Sequence, residues 1–247
     1  MSSRPGYPEG VLDILRRETA LTSQSRIADV GSGTGLSAEL FLKNGNIVIG
    51  VEPNAEMRRT AERLLERYRG FRSVNGTAEE TTLPSRSVDH VIAGQSFHWF
   101  LPQPARKEFA RILEPRGWVV LLWNSRRLDS TPFLRDYEAL LQRFGTDYRE
   151  VQHRHVDHAR LHEFFAGDEF RRFTLYNEQF FDLNGLRGRL LSSSYTPRST
   201  DESYQPMLRE LERVFEQHAE AGRVHLEYDV EIYVGRVAEH VTPTASD

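Results

Sequence analysis

Ile27-Ala28-Asp29-Val30-Gly31-Ser32-Gly33-Thr34-Gly35 is the stretch on which the fold turns. A short apolar run ends in three alternate glycines, and a helical pattern follows from Leu36 to Lys43. Glycines without Cβ let the backbone bend sharply and leave its N–H groups open to a ligand. A helix N-terminus beside them adds a positive partial charge. In open α/β sheets the crevice at the carboxyl ends of the strands is where ligands sit. Glu52 closes the next apolar run, Ile47 to Val51, and lies 21 residues after Gly31 (52 − 31). An acid at that distance suits ribose hydroxyls. The spacing differs from the dinucleotide fingerprint G-x-G-x-x-G, because position 36 is Leu and the third glycine comes one residue early.

Working outward, strand patterns alternate with helical ones. Asn44-Gly45-Asn46 stops the first helix. Asn54 caps a second, expected to run to about Tyr68 with Met57, Ala61, Leu64 and Leu65 on one face. Phe71–Val74 and Val88–Ala93 read as strands, a helix after Pro104 carries Phe109, Ile112 and Leu113, and Gly117 opens an apolar run ending at Trp123. This order predicts βαβ units and a parallel sheet. Thr131-Pro132 opens a helix to about Phe144, and another is expected over Ala159–Phe165. A strand follows over Phe170–Phe181, then an amphipathic helix from Asp201 to Ala221. Val224, Leu226, Tyr228, Val230, Ile232 and Val234 alternate with polar residues, which predicts a long antiparallel last strand with one wetter face. The expected organisation is a core over 1–124, a helical cap insertion over 125–166, further strands and helices completing the core over 167–241, and a loose tail over 242–247.

Composition narrows the function. Charged residues number 32 Lys+Arg against 36 Asp+Glu, a net −4, so no basic footprint for nucleic acid is expected. There is no cysteine, which excludes disulfides, thiolate metal sites and Cys nucleophiles. The longest strongly apolar run, Trp118–Trp123, is far short of a membrane span, and Met1–Pro5 has no apolar signal core. A soluble cytoplasmic protein is the expectation.

The glycine stretch resembles motif I of the class I S-adenosylmethionine-dependent methyltransferases. Val51-Glu52-Pro53-Asn54 is similar to the acidic ribose-binding position of that family, and Asn75-Gly76-Thr77-Ala78-Glu79 to the loop that wraps the adenine. Gln95-Ser96-Phe97-His98-Trp99-Phe100, Arg4-Pro5-Gly6-Tyr7-Pro8 and Gly188 to Tyr195 resemble a small-molecule subgroup similar to trans-aconitate methyltransferases. The resemblance implies a Rossmann-like α/β fold, a seven-stranded mostly parallel sheet with helices on both faces and the last strand antiparallel. S-adenosylmethionine is the implied cofactor, and a small-molecule methyl acceptor, through oxygen and with a carboxylate among the candidates, the implied partner. It places Gly31, Ser32 and Gly33 against the methionine and ribose, with Asp29 and Tyr7 in the same site. It also gives Glu52 the ribose hydroxyls, Pro53 and Met57 one adenine face, and the Ala78 N–H the adenine, with Glu79 beside it. Gln95 holds the methionine end. Thr77 stands where many relatives carry an Asp that accepts from the adenine amino group.

His98 follows the fourth strand and titrates near neutrality, so it is the candidate base or substrate contact; a histidine bonded to loop backbone is the competing reading. Trp99 and Phe100 are candidates to wall the acceptor. Trp123 and Asn124 are candidates to border the crevice, although core packing is the better reading of Trp123. Gly94-x-Ser96-x-His98 mimics a nucleophile elbow without its last glycine. His153, His155, His158 and His162 cluster but lack the H-E-x-x-H pattern, so no metal is expected. A nicotinamide-dependent oxidoreductase and a cofactor-binding module without chemistry stay open as alternatives.

Overall fold

Asn54 shows how closely local chemistry sets the elements. Its side chain accepts from the N–H groups of Glu56 and Met57 and starts a helix. Thr131 does the same for Leu134, with Pro132 next in line. The computed structural model describes residues 4–148, 158–165 and 170–237. The expected tail and His153 and His155 lie outside them.

The helices are α1 (Gly10–Thr19), α2 (Leu36–Lys43), α3 (Ala55–Leu64), α4 (Pro102–Ile112), α5 (Pro132–Phe144), α6 (His158–Phe165), α7 (Leu183–Leu191) and α8 (Tyr204–His218). The strands are β1 (Arg26–Val30), β2 (Ile47–Val51), β3 (Phe71–Val74), β4 (Val88–Gly94), β5 (Leu113–Arg126), β6 (Phe170–Phe181) and β7 (Val224–Gly235). They form one sheet in the order β3-β2-β1-β4-β5-β7-β6, with β7, the last in sequence, antiparallel. The parallel ladder around β1 pairs Val30 with Val51 of β2 and Asp29 with Ile92 of β4. The ends of β1, β2 and β4 are thereby brought together, and reversal of strand order beside β1 makes that the ligand crevice of such folds.

Some expectations change. α3 stops at Leu64, four residues early, and Met57 and Leu64 point outward at 45% and 56% exposure while Ala61 and Leu65 are buried. Leu113 opens β5 instead of closing α4. α1 and α7 were not legible. α1 has no capping side chain, and α7 contains Gly185 and Gly188, which weaken a helical pattern. What holds them is burial of Val11 and Leu15, and of Leu186 and Leu190.

Packing divides the chain into two units. The first holds residues 6–123, 156–175 and 231–247, and its described core includes Val30, Val91, Phe97, Phe109, Phe164 and Tyr233. There Phe164 of α6 sits edge-on to Phe97 and Phe109, at centroid distances of 5.1 and 5.7 Å. The second holds 1–5, 124–155 and 176–230, with a core of Leu134, Tyr137, Leu141, Leu186, Leu211 and Tyr228. Each such buried side chain contributes roughly 1.5–3 kcal/mol of transfer free energy.

Candidate functional site

The β1–α2 turn hangs on the end of β2, because the N–H groups of Gly31 and Ser32 both donate to the Val51 carbonyl, at 2.8 and 3.2 Å. Gly31, Gly33 and Gly35 all take positive φ, +68°, +54° and +86°. A Cβ on Gly31 would lie 2.5 Å from the Ser96 Cβ, and one on Gly35 2.5 Å from Leu65 Cδ1. One on Gly33 would meet nothing within 4 Å. Gly31 is therefore demanded by packing as well as by backbone and Gly35 by its backbone, whereas Gly33 fronts open space.

Glu52 locks this turn. Its Oε2 accepts from the Gly33 N–H at 3.0 Å and its Oε1 from the Asn54 N–H at 2.9 Å, in a largely buried setting. A carboxylate oxygen has two lone pairs, so both oxygens retain capacity for further donors. Arg58 braces the same strand end by donating to the carbonyls of Glu52 and Pro53 and to Asn75 Oδ1.

Asp29 is fully buried. The Ser37 hydroxyl donates to its Oδ2 at 2.7 Å, and its Oδ1 has no partner. Burial pushes its pKa up to about 7; the Ser37 and Ala38 hydrogen bonds oppose this and the Glu52 charge adds to it. The Tyr7 hydroxyl is likewise buried without a partner, and burial and the Asp29 charge push its pKa up. A Cβ on Gly94 would come within 3.0 Å of both the Tyr7 and the Ser37 hydroxyls, so these groups converge beside the end of β4. Two orphaned polar atoms with no ion pair to Asp29 among the described residues make a setting that favours a cationic group.

The adenine-side loop is ordered by its own bonds. Thr77 Oγ1 accepts from the Glu80 N–H at 3.2 Å. Ala78 is buried. Glu79 turns its carboxylate to the Leu101 N–H at 2.8 Å and so ties this loop to the start of α4. Pro53 and Met57 are exposed on the outer side of the β2 end.

After β4, Gln95 takes φ +58°, a left-handed backbone that a non-glycine residue adopts at a cost, and its N–H is held by the Leu122 carbonyl at 2.9 Å. Ser96 turns inward and donates to the Val30 carbonyl at 2.9 Å, filling the space that Gly31 leaves. His98 is half-buried in a single 3-10 turn, with its ring 4.8 Å from that of Trp99, which is 69% exposed. Phe100 and Trp123 do not reach an open face. Phe100 packs on Phe97 and Phe109. Trp123 is 2% exposed and sits edge-on to Phe97 and Tyr233, so it is core and not an acceptor wall. Asn124, in the second unit, is occupied with the Pro5 carbonyl and Asn177. Among the described histidines of the sequence cluster, His158 and His162 are exposed on α6. Ser37 and Ser96 had no sequence signal beyond their neighbourhood to the glycine and aromatic motifs.

A mostly parallel sheet with its last strand antiparallel, a glycine turn after β1 and an acid after β2 is a Rossmann-like architecture. Comparison with known proteins carries this further. Residues 28–121 match the family described as "Methyltransferase domain". An uncharacterized methyltransferase of Mycobacterium bovis is 33% identical over 147 residues, covering 60% of this chain and 57% of that protein. An uncharacterized methyltransferase-like protein of Schizosaccharomyces pombe is 31% identical over 147 residues, covering 59% and 56%. The chain thus spans little more than half the length of the curated relatives it matches. Among solved structures, a protein of Anaeromyxobacter dehalogenans assigned as a type II methyltransferase superposes with a TM-score of 0.66 at 20% identity, over 96% of this chain and 99% of that one. The YcgJ protein of Bacillus subtilis gives 0.57 at 18% identity, over 94% and 100%. These two share the fold. Over the matched stretch the chain is similar to methyltransferase domains in sequence. No helix among the described residues is long and apolar enough to cross a membrane.

Proposed function

We propose that the chain is an S-adenosylmethionine-dependent methyltransferase acting on a small molecule through oxygen, with a carboxylate among the candidate acceptors from its likeness to trans-aconitate methyltransferases. The observation that carries the cofactor reading is the Gly33–Glu52 hydrogen bond beside an open glycine face, with the orphaned Asp29 and Tyr7 oxygens on the same strand ends. That donor set fits the group. Glu52 has lone pairs for ribose hydroxyls, and Gly31, Ser32 and Gly33 offer a surface free of large side chains. Asp29 and Tyr7 suit the charged methionine end, with Gln95 holding it, and Ala78 meets the adenine. Thr77 already accepts from the loop backbone and supplements that contact, while Glu79 fixes the loop that carries them. Pro53 and Met57 offer an apolar outer face.

When bound, the cofactor supplies a methyl group on a sulfonium, whose leaving sulfur needs no proton. What remains for this chain is alignment, which is worth up to ~7–11 kcal/mol. A hydroxyl acceptor would hand its proton to an imidazole nitrogen of His98; a carboxylate brings none, and His98 then orients it. Trp99 flanks that position.

Calorimetric titration with S-adenosylhomocysteine and with NAD tests the cofactor, and a panel of small acids and alcohols incubated with S-adenosylmethionine tests the reaction. Binding of S-adenosylhomocysteine and methyl ester formation support the reading; binding of NAD alone overturns it. Turnover of His98→Ala against pH then separates the two roles, since a base predicts loss of an acid limb near neutrality.

A further inference from the structure

The peptide group that joins Phe100 to Leu101 is gripped at both ends by charged side chains from elements far apart in sequence. Its C=O accepts from Nη2 of Arg160, on α6. Its N–H donates to Oε1 of Glu79, in the loop after β3, at 2.8 Å. A guanidinium at the oxygen and a carboxylate at the hydrogen polarise one amide in the same sense, so each bond strengthens the other. All of these groups lie in the first packing unit.

α6 is fastened to the same region twice more. Gln103 Nε2, on α4, donates to the Glu163 carbonyl at 3.1 Å. The Phe164 ring meets Phe97, which opens the 3-10 turn that presents His98 and Trp99. That turn is entered through the left-handed backbone of Gln95, and the Ser96 hydroxyl is spent on the Val30 carbonyl instead of on capping it. A strained entry and a single uncapped turn persist only where their surroundings over-determine them. Phe164 fixes the start of the turn, and the gripped peptide fixes its exit. The peptide also joins two segments: Glu79 follows Ala78 in the loop proposed above to meet the adenine, and Phe100 lies two residues after His98.

We propose that Arg160 and Glu79 form a positioning pair that acts through the Phe100–Leu101 peptide. They hold His98 and Trp99 in register with the Ala78–Glu79 loop, so that filling the loop and placing the acceptor-side residues are coupled. The ligand's identity rests on the methyl-donor reading, whereas the grip on the peptide does not.

The test uses the full chain, with S-adenosylhomocysteine as probe. In the ligand-free protein Arg160→Met should quicken amide exchange of Leu101 by at least about threefold, although Arg160 does not touch that N–H. The order parameters of the His98 and Trp99 amides should fall from about 0.85 toward about 0.6. Arg160→Lys keeps the charge on a flexible stem and should rescue part of both readouts. A brace that serves stability alone would lower Tm and leave these local readouts unmoved. Glu79→Gln should loosen His98 and Trp99 as well, which keeps the proposal testable should Arg160→Met not fold. Each substitution should weaken S-adenosylhomocysteine binding several-fold, and the double variant should lose less than the product of the two, by about threefold or more. The proposal is overturned if His98 and Trp99 stay as ordered as in the wild type in the variants, or if the two losses simply multiply. A wild-type chain that binds no S-adenosylhomocysteine would instead overturn the methyl-donor reading, and the ligand-free exchange and order parameters would still decide the role of the pair.

Discussion

Among the described residues, the unit built around β1 to β4 buries a carboxyl group, Asp29, with its Oδ1 unpartnered, and the unit built around α5, α7 and α8 a guanidinium, Arg189, with its Nε unpartnered. The first arises where consecutive backbone turns meet. Strand ends, positive-φ glycines and one downstream acid within residues 29–52 set most of it, with Tyr7 and the end of β4 closing it. The second is carried by one side chain of α7, a helix held by a core drawn from elements far apart in sequence. A buried group of the first kind announces itself in spacing, and one of the second kind appears only when burial and hydrogen-bond partners are known.

The largest effect expected from this contrast lies in the second unit. Glu138→Ala leaves Arg126 buried without its carboxylate and should cost about 3–5 kcal/mol of stability in urea unfolding. A loss under about 1 kcal/mol would mean that Glu138 does not serve as the buried counter-ion of Arg126. Gly31→Ala should cost about 2–4 kcal/mol, from positive φ together with a Cβ driven against Ser96. Gly33→Ala, with the same backbone penalty and no clash, should cost only about 1–2 kcal/mol of stability. Its larger effect should fall on S-adenosylhomocysteine affinity, and equal stability losses at the two positions would break the distinction between packed and open glycines.

Glu52→Ala should weaken S-adenosylhomocysteine binding by about 2–3 kcal/mol, roughly 30- to 150-fold. A pH-dependent effect, at most about 1.4 kcal/mol per pH unit, belongs to Asp29. Its pKa is about 7 in the folded chain against a reference of 3.8, so the folded state binds the extra proton between those values. Its contribution to stability is present below about pH 4 and is lost as pH rises through about 7. Subtracting the profile of Asp29→Asn isolates this term. A cationic ligand end needs the ionised form, so cofactor-product affinity should rise with pH across the same window.

Much of the first unit was legible in the sequence for a physical reason. Val30, Gly31 and Glu52 act through backbone direction and nearest neighbours, and such effects survive translation into spacing. Met57 shows the limit, since helical periodicity put it on one face with Ala61, yet it is 45% exposed while Ala61 is buried. Trp123 is a closer case, because a large aromatic at a strand end packs as readily inward as toward a ligand, and its burial agrees with the core packing preferred from sequence. The tie between Glu79 and the Leu101 N–H, the Ser96 prop under Gly31 and the Arg160 hold on the Phe100 carbonyl depend on contacts across long sequence separations. No periodicity or motif in a single chain encodes those.

Titration of S-adenosylhomocysteine into the wild-type chain and Glu52→Ala tests the central claim most directly. The account predicts saturable one-to-one binding to the wild type and a loss of at least about tenfold in the variant. Absence of binding to the wild type, or an affinity in the variant within a factor of about three, would contradict it.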